Sequence, residues 1–362
     1  MSSIPTDSFE DISTEFSHYF QVGSLTSSYK PVLLKSILFC IKRGKTQRMR
    51  DIHFISMDNI AIYFLKFYFS LYRRFNIKQL TSKNNKITIY RIIDRYIDEE
   101  TTKLYDRDIS DEIVDKIKKA LYRNVIYLLR QDSYFYEFYD SHHDVIALPR
   151  EIKDEQDFNH LLKKLDVHRR EIAFIGIPDK IVLFIEMNRP ILDAAINANL
   201  ALFLEKINTV PNLNIKILAA DGSFDEIRNI SPLLKEKLCA YQNDCCFYCG
   251  KNMSDTAEAD HFVPYNYLFD SQIWNIVGAC EKCNGKKSNH VVQEEYLRKI
   301  QERNLEEEFR HVFFQDRLDS LEFAQNMNKI LEQHYRNCLL NFKLLKKRNL
   351  SVDFGKEISH MY

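Results

Sequence analysis

Between Tyr29 and Gly44 the apolar residues of YKPVLLKSILFCIKRG recur at spacings of three and four, the period of one helix face. Pro31 suits a first helical turn and Gly44 is placed to stop the helix. DNIAIYFLKFYFSLYRRF (58–75) predicts a second helix with Asp58 as its cap. KITIYRIID (86–94) alternates and predicts a short strand. Two or three helices with a strand pair suit a winged-helix or similar small fold. Further on, SDEIVDKIKKALYRNVIYLLRQ (110–131) predicts a helix and REIAFIGIP (170–178) a strand. NRPILDAAINANLALFLEKIN (188–208) is apolar most of the way round, which predicts a buried helix. SPLLKEKLCAY (231–241) reads as a helix with Ser231 as N-cap and Pro232 at its first position. After Asn304, apolar positions from Leu305 to Tyr335 at spacings of three and four predict one or two amphipathic helices.

The expected fold class is α+β, mostly helical. The turn-rich segments NTVPNLN and AADGSFD mark a boundary before residue 231. The expected organisation is a basic helical region (1–95), a mixed α/β middle region (96–230), a cysteine-rich domain (231–303) and a C-terminal helical extension (304–362). With 362 residues, 45% hydrophobic and 28% charged, the chain has the composition of an ordinary globular protein. The polar, acidic beginning is unlike a secretory signal. The most apolar window, IAIYFLKFYFSLY (60–72), is interrupted by Lys66 and too short to span a bilayer. A cytoplasmic protein with no membrane association is expected.

Charge changes this picture. The formal net charge is zero, but residues 30–91 hold fourteen Lys and Arg against Asp51 and Asp58, a local net of +12. Within that stretch Lys42, Arg43, Lys45, Arg48 and Arg50 follow a helix end, which suits a loop lying along phosphates. They are the candidate nucleic-acid-binding residues, together with Lys286. Residues 231–300 carry eight Lys/Arg against nine Asp/Glu.

Eight cysteines complete the inventory. Cys246 and Cys249 form one CxxC, Cys280 and Cys283 another. In a cytoplasmic protein this spacing points to metal ligands rather than disulfides. Two tight turns aiming their sulfurs at one point make a closed, structural Zn²⁺ site. Cys245 would give only a CxxxC. Cys40, Cys239 and Cys338 lie in apolar helical patterns and read as core residues. His142, His143 and Asp144 read as a polar loop, and Trp274 as a packing residue.

Between and just beyond the cysteine pairs lie Asp260-His261, then Asn275, Asn284 and Lys287. The order CxxC…DH-x-VP…N-x-V-x-x-CxxCN-x-x-K closely resembles the HNH endonuclease family over about residues 231–290. It is also similar to the HNH nuclease domains of CRISPR effectors, which keep the DH and Asn positions but often lack the cysteines. The resemblance implies a ββα-metal finger within 231–303. It implies Asp260 and Asn284 as ligands of a catalytic Mg²⁺ or Mn²⁺, His261 as general base, Asn275 as the residue orienting the loop and imidazole, and Lys287 as a contact to phosphate or a stabiliser of developing charge. Some family members place histidines at the last metal positions; here Asn284 stands there, with Asn289 and His290 a turn further on.

The chemistry agrees. Phosphodiester hydrolysis needs an activated water and neutralisation of growing negative charge. A histidine can take the proton, and a hard cation on oxygen ligands can hold the phosphate. The implied function is DNA cleavage in restriction or anti-phage defence. A mobile-element nuclease, an RNA-cleaving HNH nuclease and a non-catalytic zinc-finger DNA-binding protein are the alternatives. The implied partners are DNA, with RNA not excluded, and a second copy of the chain or a sensor or activator protein.

Overall fold

A computed structural model of the chain describes residues 27–79, 86–101, 103–122, 136–144, 172–222, 230–253, 257–340 and 342–343. The chain divides into two compact units, one of residues 1–208 with 216–223, the other of 209–215 with 224–362. It is mostly helical, with small antiparallel sheets.

In the first unit, α1 (Tyr29–Lys42) runs as its periodicity predicts. Gly44, at φ +62°, adopts the left-handed conformation that ends it. The helix α2 (Met57–Phe69) begins one residue earlier than expected. Its cap is Ser56, whose hydroxyl accepts from Asn59 N–H at 3.2 Å. Asp58 falls inside the first turn, where its carboxylate still meets the positive end of the helix dipole. Phe64, Leu65, Phe67 and Tyr68 of α2 are fully buried, as are Val32 and Leu33 of α1.

Three expectations fail here for identifiable reasons. Residues 86–94 are not a strand: Thr88–Tyr96 is the helix α3. Its apolar run fits both periods, and tertiary contacts decide for helix. The Tyr90 ring stacks on Tyr72 with centroids 4.1 Å apart, and its hydroxyl donates to Ile77 O at 2.8 Å. The sheet of this unit begins instead at residues 47–49, within the expected basic loop. Strand β1 (Gln47–Met49) forms a hairpin with β2 (Ile52–Ser56) through Arg50 and Asp51. After α4 (Asp111–Leu121), capped by Ser110, come β3 (Glu137–Tyr139) and β4 (Phe174–Pro178). The order is β1-β2-β4-β3, antiparallel throughout. Strands from residue 47 to residue 178 therefore share one sheet. The Tyr139 ring crosses the sheet so closely at Gly176 that even a Cβ there would overlap it. Finally, α5 spans Asp179–Glu205, starting nine residues before the expected helix. Pro190 lies inside α5, on its exposed side. The part of the expected 110–131 helix beyond Tyr122 lies outside the described residues.

The second unit contains α6 (Pro232–Tyr241), capped as expected by the Ser231 hydroxyl on Leu234 N–H at 3.1 Å. The hairpin-like pair β5 (Ala257–His261) and β6 (Ile276–Cys280) follows, with Asp260 opposite Val277 and His261 opposite Ile276. Helix α7 (Glu281–Lys287) leaves β6 directly. Then α8 (Glu294–Leu305), α9 (Glu307–Phe313) and α10 (Ser320–Leu339) close the described chain. Among the described residues, no helix is long and apolar enough to cross a membrane.

Candidate active site and metal centre

The four sulfurs of Cys246, Cys249, Cys280 and Cys283 lie within 4.8 Å of one another. The Cys249 and Cys280 sulfurs are 3.9 Å apart. Tetrahedral zinc with bonds of about 2.3 Å needs sulfurs about 3.8 Å apart, so the donor set fits zinc. The first pair sits on a tight turn in which Gly250 N–H reaches Cys246 O at 2.8 Å with Gly250 at φ +68°. The second pair spans the junction of β6 and α7.

Burial raises the Cys246 thiol above its usual range. Burial and the Cys246 charge raise Cys283. Burial also works against Cys280, but the Cys283 N–H and the neighbouring thiols outweigh it and Cys280 falls. Four thiols cannot all ionise this close together without a cation among them. Lys299 adds a positive charge beside the cluster, its Nζ donating to Phe247 O at 2.6 Å. Nothing in the sequence pattern singled it out. The lone cysteines Cys40, Cys239 and Cys338 are buried, as expected.

Strand β5 carries the next group. Successive strand residues face opposite sides, so Glu258 and Asp260 share one face and His261 takes the other. Helix α7 meets the first face. Asn284 Nδ2 donates to Glu258 Oε2 at 2.5 Å. One turn on, Lys287 Nζ donates to Asp260 Oδ1 at 3.1 Å and to His261 O at 2.7 Å, and lies 3.0 Å from Asp260 Oδ2. Tyr248 donates its hydroxyl to Asp260 Oδ2 at 2.5 Å. Both Asp260 and Lys287 are buried. Burial raises the Asp260 carboxyl and Glu258 adds to the rise, while Lys287 and the Tyr248 hydroxyl pull it back; burial prevails.

His261 is half-buried, its Nε2 2.9 Å from Ser271 Oγ. Its ring meets Tyr265 edge-on at 5.0 Å. Asn275, fully buried, holds the peptide that follows: its Oδ1 accepts from Val263 N–H at 2.8 Å and its Nδ2 donates to Val263 O at 3.0 Å. A second side-chain amide does the same for β6. Gln242 accepts from Gly278 N–H at 2.8 Å and donates to Gly278 O at 3.0 Å. A Cβ at position 278 would press into that amide.

The two cysteine pairs, the paired strands and the α7 carboxylate–amide cluster are thus one assembly. Residues 246–292 match the family model of the HNH endonuclease. No curated protein and no solved structure matches the chain. The HNH segment is a small part of the 362 residues, and an HNH domain points to nuclease activity.

Within the HNH segment Asn284 and Lys287 meet the Asp260 face of β5 while His261 takes the other face, and the site differs from the expected one in two respects. Lys287 does not face outward to meet a phosphate; its ammonium is inside, on Asp260 and the His261 carbonyl. Glu258, Tyr248 and Ser271 were not predicted, yet each is bonded to a predicted residue. Glu258 had a legible signal: two residues before Asp260 on a strand, it must share that face. Tyr248 and Ser271 had none, because loop closure decides where they lie. The catalytic cation implied by the family has hard oxygen donors available in Asp260, Glu258 and Asn284, which fit Mg²⁺ or Mn²⁺. A carboxylate offers about four lone-pair sites, and Lys287 and Tyr248 engage three at Asp260.

The basic candidates other than Lys286 lie in the other unit. Lys42, Arg43, Lys45 and Arg50 are exposed. Arg48 is exposed too, but its guanidinium forks onto Asp179, with Nε donating to Oδ1 at 3.0 Å. Lys286 is exposed in the last turn of α7.

Proposed function

We propose that this chain is a divalent-metal-dependent HNH endonuclease that hydrolyses phosphodiester bonds of DNA. What supports this reading is one juxtaposition: Glu258 and Asp260 on one face of β5 with Asn284 of α7 bonded to Glu258, and His261 next in the chain, on a frame tied by four cysteine sulfurs. Asp260, Asn284 and Glu258 would hold Mg²⁺ or Mn²⁺, which supplies neutralisation of phosphate charge. His261 accepts the proton of the attacking water, and Ser271 fixes the rotation of its ring. Asn275 keeps the chain after His261 in register. The cysteines hold structural Zn²⁺. The biological setting we favour, on the family resemblance, is restriction or anti-phage defence. One site of this kind cuts one strand, so double-strand breaks would need a second copy or a second event.

A second reading has its own observation. Lys287 already neutralises Asp260, as it would in a zinc-framed DNA-binding protein with no catalytic cation. Supercoiled plasmid decides between them. The nuclease reading expects nicked circles with Mg²⁺ and none with EDTA. Retention of plasmid without nicking, at any Mg²⁺ or Mn²⁺ concentration, would leave the binding-only reading standing.

A further inference from the structure

The turn before β6 sends its carbonyls in two directions. Asn275 O accepts from Phe262 N–H at 2.8 Å, toward the strand that bears His261. The carbonyls on either side turn toward α8. Ile276 O accepts from Arg303 Nη1 at 2.6 Å, and Ile273 O and Trp274 O accept from Nη2 at 3.4 Å. Asn304 Nδ2 donates to the same Trp274 O at 3.1 Å. Behind them stands α10: Asn304 Nδ2 also donates to Asn328 Oδ1 at 3.0 Å, and Asn328 Nδ2 donates to Gln301 O at 2.8 Å.

We propose that Arg303, Asn304 and Asn328 form a buried positioning network that sets the His261 loop of the nuclease from outside the HNH segment, by fixing the turn that presents Asn275. The proposal rests on the nuclease reading for its catalytic consequence. The network is costly in a way that a merely structural contact need not be. Arg303 is 5% exposed, Asn304 0% and Asn328 7%. Among the described residues no carboxylate pairs with Arg303; its charge is met by carbonyls, by Asn304 Oδ1 at 2.7 Å and by the Phe309 ring, 4.3 Å from the guanidinium carbon. Apolar residues in place of buried charges are often neutral or stabilising, and the Arg303 Nε is buried with no hydrogen-bond partner among the described residues, so stability alone does not call for a guanidinium here. What a guanidinium offers instead is a rigid planar fork that fixes several acceptors at once.

The route to the reacting groups is short. Fixing Ile273, Trp274 and Ile276 fixes Asn275 between them. Asn275 then holds Phe262 through its carbonyl and Val263 through its side chain, the two residues after His261. Because α8 and α10 do this, residues beyond 292 govern the geometry of a site whose family motif ends there. A misplacement of about 1 Å can cost about 100-fold in rate.

Two variants test it. Arg303→Lys keeps the charge and removes the fork; Asn328→Ala removes the far support and leaves Arg303 untouched. Each is measured for zinc content, for hydrogen exchange at the Phe262 and Val263 amides, and for kcat and KM on supercoiled plasmid with Mg²⁺. The expected result is zinc retained, exchange at those two amides faster by about tenfold, the equivalent of one lost hydrogen bond, and kcat lower by about 10- to 100-fold at unchanged KM. Combination with Asn275→Ala should add little, since both act through the same turn. Folded, zinc-loaded variants with unchanged amide protection and kcat overturn the proposal. So does loss of zinc in both variants, which would make the network a general support of the fold. If the wild-type protein cuts no plasmid, the nuclease reading fails, while the exchange measurement still decides whether the network positions the loop.

Discussion

Lys287 and Asp260 are buried within hydrogen-bond distance of each other, and each needs the other. Removing one partner of a buried ion pair typically costs about 3–5 kcal/mol. Lys287→Met should therefore lower unfolding stability by about that much at neutral pH. The pH dependence follows from the raised Asp260 carboxyl. Without Lys287 that carboxyl rises further, so the folded variant binds its proton more readily. The deficit relative to wild type is full above the raised value and shrinks as pH falls through it, because a neutral Asp260 needs no cation. Denaturant titrations of both proteins at matched pH check this; a deficit that grows on acidification contradicts it. His261 is a different case. Its ring contributes to the transition state and little to ground-state binding. His261→Ala should lose about 10²–10⁴ in cleavage rate while zinc content and DNA affinity stay at wild-type levels. Cleavage at the wild-type rate would remove His261 as base.

At the level of elements, β6 and α7 are joined by the second cysteine pair, and β5 is held between the first pair and α7. A closed zinc site contributes folding energy on the order of 10 kcal/mol, more than a short two-stranded sheet can supply by itself. We expect about one zinc per chain from the four-sulfur donor set. Cys280→Ser should abolish it, with hydrogen-exchange protection of β5 and β6 lost while that of α1 and α2 persists. Metal analysis with peptide-resolved exchange gives the answer, and a Cys280→Ser protein that keeps zinc and protected strands would refute the site. The side-chain amides of Gln242 and Asn275 act on the same elements, each tying one peptide on both sides where the two strands alone leave it open.

For the whole molecule, charge is segregated along the chain. Residues 231–300 are near neutral, while residues 30–91 carry the basic excess. A polyanion would be held by the exposed set Lys42, Arg43, Lys45 and Arg50, and less by Arg48, whose charge Asp179 already meets. Each lost phosphate contact reduces the slope of log binding against log salt by about 0.9 for duplex DNA. Replacing Arg43, Lys45 and Arg50 together by Ala should flatten it by up to about 3 units, and Arg48→Ala should change it least. Zinc content should not move. Binding measured across a salt series decides this; an unaltered slope in the triple variant puts the DNA surface elsewhere.

What the sequence determined by itself was local. The cysteine spacing brought four sulfurs together because CxxC turns fold on their own residues. The DH pair on a strand fixed which side chains share a face, and Ser231-Pro232 fixed a helix start through its own backbone donors. Tertiary structure decided what depends on distant partners. Residues 86–94 became a helix because Tyr72 and Ile77 were there to meet Tyr90. Pro190 came to lie inside a helix on its exposed side, where the carbonyl of exposed Glu186, left without its helix donor, can meet water. Lys287 turned inward because α7 lies over Asp260, where burial makes a nearby ammonium worth more than an exposed one. The turn bearing Asn275 is gripped by Arg303, some thirty residues away in the chain, and no spacing rule reaches that far.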